Sequence, residues 1–162
     1  MEPQPITLEP IGIIHSPFHT LDNMPIQPAG APDATGTVEL LPHLAPALKD
    51  LDGFSHIYLL YHFHLAGPAK LLVTPFLDTV PRGLFATRAP LRPCPIGLSL
   101  VELVAIDQHR LTVRGIDVLD NTPLLDIKPY IERFDHPPNS RAGWMTADHD
   151  HIARRRSDQR FT

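Results

Sequence analysis

Between Phe85 and Gly97 the sequence reads FATRAPLRPCPIG, with Pro90, Pro93 and Pro95 set among Arg88, Arg92 and Cys94. Proline fixes its own φ and drives the residue before it into an extended conformation, so this stretch predicts a stiff loop. Two arginines on a stiff loop suit a carboxylate or phosphate, because the guanidinium is a planar fork and little ordering entropy is lost on binding. The same residues also suit a rigid connector whose arginines pair with surface acids. Cys94 would need a base or a dipole to become a nucleophile, and the sequence identifies neither. A tolerated thiol is the simpler reading.

A second group of candidates is acidic. Asp120-Asn121 precedes Thr122-Pro123, a turn signal in which an Asp usually serves its own backbone. Asp117 and Asp126 sit inside apolar runs, where a carboxylate needs a partner such as a ligand hydroxyl pair or an arginine. In the alternating stretch 56–65, His56, Tyr58, Leu60, His62 and His64 share one face. His62 and His64 there could hold one metal ion, but no third ligand follows at a suitable spacing. Asp148-His149-Asp150-His151 and Arg154-Arg155-Arg156 lie in a polar C-terminal stretch, where the arginine run either touches RNA phosphates or is simply solvated.

These side chains need a frame, and composition limits what it can be. The chain has 162 residues, 43% hydrophobic and 20% charged, which suits one ordinary globular domain. Its formal charge of −4 excludes a chain-wide basic clamp for nucleic acid, so RNA contact would fall to a local patch. No apolar run reaches the ~18 residues of a membrane helix, and the start, MEPQP, has no signal-peptide pattern. A single cysteine excludes an internal disulfide and suits a reducing cytoplasm. The nine glycines are scattered, which excludes a dinucleotide fingerprint or a P-loop.

Nineteen prolines spread along the chain make long helices scarce. Only about His43 to Leu51 reads as helical, with Leu44, Ala47, Leu48 and Leu51 at i, i+3, i+4 and i+7. Strands are expected at Ile11–His15, Gly36–Leu41, His56–Leu65, Leu84–Arg88, Leu98–Ile106, Arg110–Ile116 and Leu124–Ile127. Seven short runs punctuated by Gly, Pro, Asp and Asn read as an all-β barrel or sandwich with one or two short helices. Leu98–Ile106 is nearly continuous in apolar residues and belongs at the sheet centre or at an oligomer interface. Residues 1–135 form the domain, and 136–162 are expected as a polar tail, disordered or docked on a partner subunit.

At this point the residues resemble a known family. Ile11-Gly12-Ile13-Ile14-His15-Ser16-Pro17, Phe54-Ser55-His56, Phe85-Ala86-Thr87-Arg88, Arg92-Pro93, Pro95-Ile96-Gly97-Leu98-Ser99 and Asp126-Ile127-Lys128-Pro129-Tyr130 are similar to the motifs of the TsaA-like family, which includes the TrmO-type tRNA methyltransferases. The likeness runs from about residue 8 to 135. It implies a small β-barrel that binds S-adenosylmethionine without a Rossmann domain, a homodimer, a cytoplasmic setting and a tRNA substrate, with no membrane or DNA partner. Known members methylate the exocyclic nitrogen of threonylcarbamoyl-adenosine next to the anticodon.

Motif matching places the implied cofactor contacts on Pro25, Ile26 and Gln27, then on His64 and Leu65, on Arg88, on Leu100, and on Ile116, Asp117, Val118 and Leu119. Arg88 would hold the methionine carboxylate and Asp117 a ribose or amine group. Tyr58, Tyr61 or Phe63 would face the sulfonium, and His62, His64 and Tyr61 are the candidates for a base, none of them assigned. The chain departs from the family at Cys94, where Asn is common, at Asn121, where Gly is common, and at Ile26 and Leu65, where Arg and Gln are usual. A small-molecule acceptor, or a non-enzymatic metal- or ligand-binding module using His62 and His64, remain the alternatives.

Overall fold

The computed structural model describes residues 1–161. In chain order the strands are β1 (Gly12–His15), β2 (Thr35–Leu40), β3 (His56–His62), β4 (Leu72–Val73), β5 (Arg82–Gly83), β6 (Ile96–Asp107), β7 (Arg110–Arg114) and β8 (Thr122–Pro129). Six of them close a barrel in the order β1-β2-β7-β6-β3-β8, and β4 and β5 form a separate ribbon. All pairings are antiparallel. Two short helices follow, α1 (Glu132–Asp135) and α2 (His149–Arg154). The expected all-β barrel is the fold observed.

A period of two builds its interior, because alternate side chains on a strand point to opposite faces. Ile14, Val38, Ile57, Leu59, Val101, Leu111, Val113 and Leu124 are each at most 1% exposed and belong to one core. Burying each such side chain is worth roughly 1.5–3 kcal/mol. The outer face of β6 stays partly apolar: Ile96, Leu98 and Val104 remain exposed. A smaller cluster of Val73, Leu84, Ala89, Leu91 and Phe161 lies outside the barrel, with Ala66 and Phe76 against it.

Three local expectations are corrected. The stretch 43–51 is not an α-helix but two 3-10 segments, Pro42–Leu48 and Leu51–Gly53. Pro46 inside the first cannot donate an amide hydrogen, and Asp50, with φ at 66°, separates the two. Leu84–Arg88 is not a strand: Leu84–Ala86 makes a single 3-10 turn that Thr87 closes, its amide and hydroxyl both donating to the Leu84 carbonyl. β3 stops at His62, since the Phe63 amide donates to Pro95 O (2.7 Å) and the His64 amide folds back to His62 O (2.8 Å). His64 therefore does not continue the face that carries His62.

Part of the polar stretch after 135 packs on its own chain. Arg156 bridges to Pro25, and Ser157 exchanges backbone bonds with Asn23 and Met24. Its hydroxyl accepts from the Met24 amide (2.8 Å) and donates to Leu21 O (2.6 Å). Phe161 packs edge-on to Phe76, with ring centroids 4.9 Å apart. A few anchors spaced among polar residues hold the segment, so no periodic apolar pattern marks it. Thr162, the last residue of the expected tail, lies outside the described residues.

Candidate functional site

One cleft of about 1050 Å³ opens between the barrel and the segments packed on its side. The early loop at 25–29 forms one wall, and the turn after β3 and the stiff loop 85–92 form others. The start of β6, the run 117–119 and the C-terminal stretch around Trp144, Met145, Ile152 and Ser157 complete it. A second hollow of about 500 Å³ at Asp148, Asp150, His151, Arg154 and Arg155 is shallow and lies on the surface of that stretch. Most of its side chains are exposed, and the larger cleft is the better receptor for a small molecule.

Residues far apart in sequence meet here. Pro25, Ile26, Gln27, His64, Leu65, Arg88, Leu100, Asp117, Val118 and Leu119 all line this cleft. Ile116 does not: its side chain is fully buried in the barrel core and its amide donates to Ala34 O (3.2 Å). Arg88 stands exposed on the stiff loop, and its Nη1 donates to Gln27 Oε1 (3.2 Å), joining the two walls. Arg92 is turned into its own loop, donating to Thr87 O (2.9 Å) and Ala89 O (3.2 Å).

Asp117 ends a chain of hydroxyls that rises from the barrel. Ser99 Oγ, 2% exposed, donates to Asp117 Oδ1 at 2.5 Å, and Tyr61 Oη lies 2.9 Å from the same Ser99 oxygen. Burial pushes the Asp117 carboxyl up to about 6, against the Ser99 bond and the charge of Arg88, which pull it down. Burial also raises the Tyr61 phenol far above its ordinary value, and the Asp117 charge adds to the rise. Gly97 makes room for this packing, since a Cβ there would overlap the Tyr61 ring and the Phe63 edge.

Other candidates find structural work. Asp120 accepts from the Ser16 amide (3.0 Å) and from Asn121 Nδ2 (3.0 Å), across the seam between β1 and β8. The Ser16 bond is the main reason its carboxyl sits below the usual carboxylate range. Asn121 has φ at 63°, the left-handed region that favours Gly and tolerates Asn. Asp126 pairs with Lys128 Nζ (2.8 Å) on the barrel exterior. Cys94 is exposed and Tyr58 packs against Tyr130; neither lines the cleft. His62 does not line it either, and among the described residues no three His, Cys, Asp or Glu side chains converge as a metal site would need.

Sequence reasoning missed the C-terminal wall, the Tyr61–Ser99–Asp117 chain and the rim residue Phe85. A lone Trp144 in a polar stretch was the available signal for the first. For the chain it was Ser99 and Tyr61 on the inward faces of paired strands.

The donor set fits an amphipathic zwitterionic nucleoside: a guanidinium for a carboxylate, a carboxylate for hydroxyls or an amine, and apolar walls for a base. Comparison with known proteins agrees with that chemistry. Residues 13–136 match the tRNA-methyltransferase O N-terminal domain. A probable S-adenosyl-L-methionine-binding protein from Pyrococcus abyssi is 49% identical over 159 residues, 98% of this chain and 86% of that protein. The tRNA (adenine(37)-N6)-methyltransferase of Escherichia coli is 36% identical over 84% of this chain. A crystal structure of TrmO from Pseudomonas aeruginosa superposes with a TM-score of 0.74 at 41% identity over 90% of this chain. This chain spans only 62% of the Escherichia coli enzyme and 64% of the Pseudomonas aeruginosa chain. With fold, pocket and sequence in agreement, the chain belongs to the tRNA-methyltransferase O N-terminal domain family.

Proposed function

We propose that this protein is an S-adenosylmethionine-dependent methyltransferase acting on an exocyclic adenosine nitrogen in tRNA, threonylcarbamoyl-adenosine beside the anticodon being the expected acceptor. The observation that carries the reading is the meeting of Arg88, Asp117 and the 25–27 and 117–119 segments on one cleft, in a chain of this family. Bound S-adenosylmethionine supplies an electrophilic methyl group on a sulfonium. Arg88 would take its carboxylate as a charge-assisted pair. Asp117, ionised above about pH 6, would accept from an amine or ribose hydroxyl.

The remaining work of the protein is positioning and drying. Displacement at a methyl carbon needs attacking and leaving atoms in line, and a rigid wall supplies much of that alignment. Tyr61 and Phe63, both on the cleft, offer rings of the kind that attract a cation. The C-terminal wall keeps water from the reacting atoms. A homodimer is part of the reading, meeting along β6, where exposed Ile96 and Leu98 at the cleft would set the second subunit beside the pocket. So is a cytoplasmic setting, where tRNA is at hand and Cys94 stays reduced.

The test is nucleoside mass spectrometry of tRNA treated with the purified protein and S-adenosylmethionine. The expected product is an adenosine nucleoside heavier by one methyl group. Cofactor binding with no change in any tRNA nucleoside would instead favour a small-molecule acceptor.

A further inference from the structure

Phe85 stands at the lip of the cleft and is 78% exposed. Its position is pinned from several sides. Leu84, 2% exposed, anchors the turn in the outer cluster, and the Trp144 indole Nε1–H donates to Ala86 O at 2.7 Å. The Arg92 guanidinium lies over the Phe85 ring, 5.6 Å from its centroid, and is held there by the carbonyls of Thr87 and Ala89. The result is a rigid ring in water with a cation on one side.

Charge collects at the same lip. Among the described residues neither Arg88 nor Arg92 has a carboxylate within ion-pair distance; Arg88 rests on Gln27 and Arg92 on backbone. Arg92 uses only Nη1 in these bonds, so its other donors remain open. Across Ala86, Arg82 stands 5.7 Å from the Trp144 ring, its own charge paired with Asp78 (2.6 Å). Aromatic rings interleaved with guanidinium groups are how proteins hold unpaired bases, because every base has a π face whatever its identity.

We propose that Phe85, backed by Arg92, is the stacking platform for the base next to the acceptor nucleotide of the RNA. This rests on the tRNA reading above. A base that stacks at the rim lies outside the pocket, so it belongs to a neighbour of the nucleotide whose nitrogen enters. Arg92, with donors to spare, faces the phosphate that joins the two.

The test measures binding of a fluorescently labelled anticodon stem-loop RNA by anisotropy, alongside S-adenosylmethionine binding by calorimetry, for wild type, Phe85→Ala and Phe85→Trp. The expected result is RNA affinity about 5- to 150-fold weaker for Phe85→Ala. Phe85→Trp should match or exceed wild type, and cofactor affinity should stay within about twofold throughout. If wild type binds the RNA and Phe85→Ala binds it equally well, the platform is overturned and the tRNA reading stands. A parallel fall in cofactor affinity overturns it too, by making Phe85 part of the cofactor wall. Wild type that binds no RNA overturns the tRNA reading and the platform together.

Discussion

Ser99 gives its only hydroxyl hydrogen to Asp117, which leaves Tyr61 as the donor to Ser99. The direction of the chain is therefore set: phenol to hydroxyl to carboxylate. A carboxylate held from behind in this way is oriented before any ligand arrives, and its remaining acceptor positions point away from the barrel core. That arrangement has measurable consequences.

The first concerns pH. With an ordinary value of 3.8 and a folded value of about 6, Asp117 binds its proton more tightly in the folded protein than in the unfolded chain. Stability therefore falls as pH rises from about 4 to 6, and the cost is complete above that range. Asp117→Asn should remove it, raising stability at pH 8 by about 1–3 kcal/mol in denaturant titrations. Cofactor affinity should run the opposite way. It should strengthen in wild type as pH rises through about 6, and become flat and weaker in Asp117→Asn. Unchanged pH dependence in the variant would remove Asp117 from the site.

Arg88→Ala should weaken S-adenosylmethionine binding at least tenfold in calorimetry, since a charge-assisted hydrogen bond contributes about 1.5–3 kcal/mol. Its exposed position makes folding indifferent to the change, so the melting temperature should not move. Arg88→Lys should recover only part of the loss, because an ammonium lacks the planar fork.

Ser157→Ala removes one acceptor and one donor that tie the early loop to the C-terminal stretch. Leaving the Met24 amide and the Leu21 carbonyl short of partners should cost about 1–3 kcal/mol locally. Hydrogen exchange should accelerate at residues 21–27 and 152–161 while the barrel strands keep their protection. Uniform acceleration would mean that this contact supports the whole fold.

At Asn121 the backbone decides. Asn121→Gly should be within about 0.5 kcal/mol of wild type, because Gly has no Cβ to crowd the carbonyl at positive φ. Asn121→Ala should destabilise by roughly 1 kcal/mol, because Ala keeps the Cβ and loses the side-chain amide that bonds Asp120 and offsets it. Thermal melts of the pair would show the difference.

How much of this was legible beforehand depends on the scale of the signal. β1, β2, β3, β6, β7 and β8 were readable because short apolar or alternating runs punctuated by Gly, Pro, Asp or Asn have few other solutions. Leu84–Arg88 misled because an apolar run that short serves a turn as well as a strand, and the Thr87 hydroxyl closing that turn leaves no periodic trace. The helical spacing at 44, 47, 48 and 51 was real, but Pro46 tightened it to 3-10 geometry. Arg88 and Asp117 were singled out from rigidity and from an acid in apolar company, and the cleft unites them. Their partners, Gln27 and Ser99, were invisible as partners, because pairing across 61 and 18 positions is a product of closure rather than of local sequence. The C-terminal wall was missed for the same reason.

β1 has neighbours on both sides, β2 from the same end of the chain and β8 from more than a hundred residues later, with Ile14 opposite both Val38 and Thr122. That seam can zip only after β8 has been synthesised, so a nascent or partly folded chain carries two raw sheet borders. Long-separation pairing of this kind is intrinsically slow, and unpaired borders recruit one another between molecules. Expression yield should thus hinge on temperature and chaperone supply during the interval before the cylinder shuts, and much less on the robustness of the finished molecule.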